Sequence, residues 1–282
     1  MKRRKHVARN SQITKPSLRA GWLLVYATVG AVALGLSLHF LVGLGGDGGS
    51  DVGQARMPRA AIVDQLSTTH GNQTFVEECS AALSEAGFAV DYYDGDSVTV
   101  DLYRDLPTYG YEVLVLRVHS ATYHPDLRVV ALFTSQPYSA GKYLNEQLGN
   151  QVRAVAFAPY EEGDPTYFGV TDRFIRSGIG GRFDNTVVIM MGCDGMRYEC
   201  MAEAFVAGGA TVYLGWDDFV STVHADKVTV DLLQRLLQGS DTVGQAVKET
   251  MALHGADPYY DGVLSYYPPD SGNSTLGQLL NR

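Results

Sequence analysis

Cysteine is scarce in this chain: Cys79, Cys193 and Cys200 are the three among 282 residues. An odd number excludes a fully paired disulfide framework and leaves at least one thiol to pack or to react. A Cys79–Cys200 bridge is permitted, but nothing in the positions selects it. Basic clusters are missing beyond residue 20. Seven of the 22 Lys and Arg residues stand before that point, so the rest of the chain sets 15 against all 31 Asp and Glu and carries close to −16. Such a balance disfavours nucleic acid, which needs clustered Lys and Arg on its phosphates, and leaves a basic peptide open as a partner. His70, His124 and His224 stand at no metal-ligand spacing, so neither a catalytic metal nor a cofactor is expected. The loop after the first apolar run, QLSTTHGNQT, lacks a GxGxxG or Walker pattern, which counts against a flavodoxin-like nucleotide-binding domain. No internal repeat is visible.

The chain opens with an anchor. Residues 1–20 carry Lys2, Arg3, Arg4, Lys5, Arg9, Lys15 and Arg19 and no acid, and an uncharged apolar run follows over 21–46. At ~1.5 Å per residue that run can cross a hydrocarbon core ~30 Å thick, and it exceeds the apolar region of a cleavable signal. The basic flank predicts a single-pass signal-anchor with the N-terminus cytoplasmic and the remainder extracytoplasmic. A Gly-rich flexible linker over 47–56 leads to a folded domain over 57–282.

In that domain strand and helix signals alternate. RAAIVDQL (Arg59–Leu66), FAVDYY, YEVLVLRVHS, TVVIMMG and TVYLGW read as strands, the last three as near-continuous apolar runs suited to burial on both faces. Helices are predicted over Thr74–Ala86, Met196–Ala207, Asp226–Leu237 and Thr242–Leu253. The alternation predicts a three-layer α/β domain with a mostly parallel sheet. In such sheets functional groups gather at the carboxyl ends of the strands. Three strands end on reactive or charged residues: His119-Ser120, Cys193-Asp194-Gly195 and Trp216-Asp217-Asp218.

An imidazole can take the proton of a thiol and turn it into a nucleophile. His119 and Cys193 lie 74 positions apart, yet each follows a buried-type strand and is expected at the same sheet edge. Gly192 permits a tight turn before the sulfur, and Gly195 is expected to leave room for a substrate backbone. The backbone N–H groups of Ser120 and Cys193 are the expected oxyanion hole. Read singly, a Cys after an apolar strand is a core filler and a lone His a structural group.

The order strand-His-small residue, then strand-Gly-Cys-x-Gly, helix, GGA, a strand ending in Trp-Asp, and a long helix resembles the caspase-like cysteine peptidases. MMGCDGM is similar to the nucleophile loops of separase and CHAT domains, and AEAFVAGGATVYLGWDD to the following stretch in CHAT and gingipain-like domains. The resemblance spans about Arg59 to Leu253. It implies a caspase-like fold and a membrane-anchored cysteine endopeptidase acting on a protein or peptide substrate, with His119 as general acid/base and Cys193 as nucleophile. It also implies that cleavage after Arg or Lys would need an acid at the pocket floor, where Asp217 and Asp218 stand. One of the two would point inward, Asp217 being favoured, with Trp216 as an apolar wall; both acids can equally be read as solvated or as capping a turn. The alternative reading is a catalytically inactive caspase-like binding or scaffold module at the cell surface. Ser120 replaces the Gly of many members, and the stretch from His119 to Cys193 is long. Within it RVVALFTSQPY reads as a hairpin, and YFGVTDRFIRSGIGGRF as a lid, a recognition surface, a self-cleavage site at Arg173, Arg176 or Arg182, or an exposed loop.

Overall fold

A computed structural model describes residues 57–124, 128–157, 161 and 163–282. The basic tail, membrane anchor and linker expected over 1–56 lie outside the described residues. Among those described, no helix is long and apolar enough to cross a membrane.

The main sheet is built from β1 (Arg59–Asp64), β2 (Ala89–Tyr93), β3 (Val113–Arg117), β8 (Thr186–Met190), β9 (Ala210–Trp216) and β10 (Leu264–Tyr267). Its six strands run in the order β10-β9-β8-β3-β1-β2. The pairings of β1 with β2 and β3, of β3 with β8 and of β8 with β9 are parallel, and only β10 is antiparallel. The α/β class and the mostly parallel sheet read from the sequence are present.

Period-2 alternation along the strands feeds two cores, one on each face. Ile62, Val115, Ile189 and Leu214 pack toward α1 (Gln73–Glu85), α6 (Thr222–Gln238) and α7 (Val243–His254). Val63, Leu116, Val188 and Met190 pack the other way, toward α2 (Val100–Asp105), α4 (Asp172–Ser177) and α5 (Cys200–Ala207). Helices thus cover both faces, as a parallel sheet requires. Cys79 lies in the first core, fully buried, and all three cysteines are free.

The segment between His119 and Cys193 contains a second sheet. Strands β4 (Ser120–His124), β5 (Val129–Pro137), β6 (Val152–Val155) and β7 (Tyr167–Thr171) form it in the order β4-β5-β7-β6, all antiparallel, with the short helix α3 (Leu144–Leu148) between β5 and β6. RVVALFTSQPY, expected to be a hairpin, is instead the single strand β5, and its antiparallel partner β4 lies before that stretch. The Gly- and Arg-rich stretch is β7 followed by α4, with Phe168, Val170 and Phe174 buried in the second core, so it is an integral layer and not an exposed loop. Arg176 is paired with Glu203 at 3.0 Å, and Arg182 donates to Ala207 O. The chain closes with α8 (Leu276–Leu279).

Candidate functional site

Strands β3 and β8 are direct neighbours, and Leu116 pairs with Met190 across them. His119 and Cys193 each stand three residues beyond that pair. Parallel register alone therefore delivers both to the same edge at the same height. The two loops stay in contact past the sheet: Met191 N donates to Leu116 O at 3.1 Å, and the Ser120 hydroxyl donates to Cys193 O. Both side chains line one cleft of about 680 Å³, together with Leu66, Phe133, Phe157, Val220 and Tyr260.

Close approach of the loops requires Gly192. A Cβ there would lie 2.2 Å from Val118 O and 2.6 Å from Ser120 Oγ. Neither neighbour can retreat, one being backbone and the other pinned to Cys193 O. Gly192→Ala is expected to lower stability by about 1–3 kcal/mol, measured as a reduced midpoint in urea unfolding. Gly195→Ala serves as the contrast, since its nearest atom, Tyr213 Oη, is 3.3 Å away. Gly195 faces Tyr213 and the Trp216 backbone and does not line the cleft, contrary to the expected role in admitting a substrate. Between them Asp194 adopts a left-handed backbone (φ 57°) that turns the chain after the sulfur. Its buried carboxylate accepts from Arg197 Nη1 at 2.6 Å and from Thr122 Oγ1 at 2.8 Å.

The edge of β4 faces this loop. Phe133 N donates to His119 O, which makes Ser120 and Leu132 a non-hydrogen-bonded pair and turns the Ser120 N–H away from β5. Two residues on, on the same edge, Thr122 N donates to Asp194 Oδ2 at 3.3 Å. The Ser120 amide is thus directed toward the loop that carries Cys193.

His119 is held from several sides. Its N–H donates to Gln65 Oε1 at 2.9 Å, and Phe157 and Phe133 pack on the ring at centroid distances of 4.8 and 5.9 Å. Thr69 Oγ1 lies 3.3 Å from Nε2, and His70 Nδ1 lies 3.0 Å from that hydroxyl. Burial, with the like charges of His70 and Arg117, lowers the imidazole to about 4. The Cys193 sulfur is engaged by Val220, whose N–H lies 3.5 Å away and whose carbonyl lies 3.6 Å away. Burial raises its pKa, the nearby Asp194 charge adding to the effect against the backbone contacts. At neutral pH the pair rests as neutral imidazole and neutral thiol.

Arg117 supports this arrangement and was not singled out in the sequence. It is 1 % exposed and donates from Nη1 to Asp64, from Nε to Asp226, and from Nη2 to Asp226 and to His70 O, all within 2.9 Å. Asn72 Nδ2 also reaches Asp226, at 2.7 Å, while its oxygen caps α1 through Phe75 N. The ends of β1 and β3, the Thr69-His70 loop and the start of α6 are thereby tied to one guanidinium. An Arg closing the apolar run VLVLR was the available signal.

The third strand end departs from expectation. Trp216 is fully buried in the core against His224, at a ring distance of 5.6 Å, and forms no wall of the cleft. Asp217 accepts from Val263 N at 2.7 Å, tying β9 to the turn before β10. Asp218 accepts from Arg197 at 2.9 Å and from its neighbour Phe219 N at 2.8 Å. Neither acid lines the cleft. The next three residues do, Phe219, Val220 and Ser221 forming one wall. Asp257, buried, braces it by accepting from Ser221 N and Oγ and from Tyr259 and Tyr260 N at 2.7–3.0 Å. Burial pushes that carboxyl up, and the four hydrogen bonds outweigh it, leaving the pKa below the ordinary value.

No protein-family model matches the chain, and a search of the curated proteins finds no match.

Proposed function

We propose that this chain is a membrane-anchored cysteine endopeptidase of caspase-like architecture, with Cys193 as nucleophile and His119 as general acid/base. The observation that carries the reading is the register-matched delivery of the two groups into one cleft. The strand order, five parallel strands with the last antiparallel at the edge, also supports the caspase-like architecture.

Because both groups rest neutral, attack and proton transfer are concerted. In the tautomer whose Nε2–H donates to Thr69 Oγ1, Nδ1 is the unprotonated nitrogen left for the thiol. It takes the Cys193 proton as the sulfur bonds to the substrate carbonyl carbon. The oxygen of that carbonyl becomes an oxyanion between the Ser120 and Cys193 N–H groups. The imidazolium then gives its proton to the departing amine as the C–N bond breaks. His119 then takes a proton from a water that attacks the thioester carbon, and the imidazolium gives that proton to the sulfur as the C–S bond breaks.

Full-length protein in detergent micelles, reduced and incubated with a mixed peptide library, is expected to yield new termini by mass spectrometry, and prior alkylation of Cys193 should prevent them. A library left intact overturns the proposal. The rival reading, an inactive module of the same fold, draws on the raised thiol pKa. It predicts that iodoacetamide modifies Cys193 while peptidyl ketones do not.

A further inference from the structure

We infer that the cleft selects a substrate with a neutral apolar or aromatic side chain before the scissile bond, and rejects both cations and carboxylates at that position. The inference rests on the peptidase reading and concerns the same site. Among the described lining residues none is an Asp, Glu, Lys or Arg. Its apolar lining is Leu66, Phe133, Phe157, Met191 and Val220, and the outer rim is Phe219 with Tyr260, their rings 6.0 Å apart. Tyr260 and Phe219 are half exposed and Tyr259 more so, which extends the apolar surface outward from the cavity.

Among the described residues, the acids at the neighbouring strand ends and loops are already engaged. Asp217 serves Val263 N and Asp218 serves Arg197. Asp194 serves Arg197 and Thr122, and Asp257 holds the wall itself. Asp64 and Asp226 share Arg117, which does not line the cleft. A substrate guanidinium or ammonium would therefore be desolvated with no carboxylate in the lining to pair with, and a carboxylate with no Lys or Arg. An apolar side chain loses nothing on entry and gains by burial. The cavity, at about 680 Å³, has room for a side chain of aromatic size with its backbone.

The experiment uses the full-length protein and four acyloxymethyl ketone peptides that differ only in the residue preceding the ketone: Phe, Leu, Arg or Asp. Modification of Cys193 is followed by intact mass. The Phe and Leu reagents are expected to react at least about a hundredfold faster than the Arg and Asp reagents. Tyr260→Ser, at an exposed position, is expected to narrow the gap between the Phe and Arg reagents about tenfold by removing one side of the rim. Comparable or faster reaction of the Arg or Asp reagent overturns the specificity and leaves the peptidase reading standing. Failure of all four reagents where iodoacetamide still modifies Cys193 overturns both.

Discussion

Replacing Cys193 with alanine is expected to lower kcat/KM for peptide cleavage by roughly 10⁴-fold or more, and His119→Ala by roughly 10²–10⁴-fold. Combining the two should cost no more than the cysteine change alone, because a nucleophile and its base act as one unit. Cys193 is half-buried at the cleft, its sulfur hydrogen-bonded to the Val220 backbone and packed at the edge of the first core, so the fold should survive its truncation. The pH profile of kcat/KM separates a catalytic from a structural role. A protonated imidazole cannot accept the thiol proton, so activity is lost as pH falls through the His119 value, which burial has lowered to about 4. The upper limit belongs to the thiol, which burial holds above its ordinary range. A broad plateau across neutral pH is the expected profile, with its acid limb near 4. An acid limb at the ordinary imidazole value of about 6.5 would show that His119 is solvated in the working enzyme and would remove the neutral-pair mechanism.

The placement of His119 and Cys193 at one sheet edge was legible because parallel strands buried on both faces announce themselves as unbroken apolar runs, and their ends share an edge by topology. Side chains in the loop beyond a strand end are harder to read. Whether Asp217 points into a cleft depends on which distant donor claims it, here the Val263 amide from the turn before β10. Arg197 takes Asp218 in the same way, from a segment expected to be helical that is in fact a run of turns before α5. The second sheet was half legible. VVALFTSQP carries a clear strand signal, whereas VRAV and YFGVT are too short to stand out until β5 lies beside β7 and β7 beside β6. VTVDLYRD alternates as a strand would, yet it forms a helix because Thr99 caps it through Leu102 N and its apolar residues, including Tyr103 and Leu102, face one core.

Arg117→Met is expected to destabilise the protein by about 3–5 kcal/mol, the range for breaking a buried ion pair from one side. The exchange preserves most of the volume and removes the charge. Asp64 and Asp226, which are 0 % and 5 % exposed, are then left facing each other without the cation that both use. Set against a total stability of about 5–15 kcal/mol for a folded domain, that loss should show as a large drop in the urea midpoint at constant slope. The damage reaches the chemistry as well. His70 O loses its donor from Arg117, which loosens the loop that places Thr69 on His119 Nε2. Activity should therefore fall even at temperatures where the variant stays folded, and the fall should appear in kcat more than in KM. Adding Asp226→Asn to Arg117→Met removes one of the two stranded charges and should recover part of the stability, because an amide costs less to bury than an unpaired carboxylate. Activity should not return with it, since neither side chain restores a donor to His70 O. A variant that regains stability and activity together would place the weight of this network on charge balance alone, and would take from Arg117 its part in aligning the imidazole.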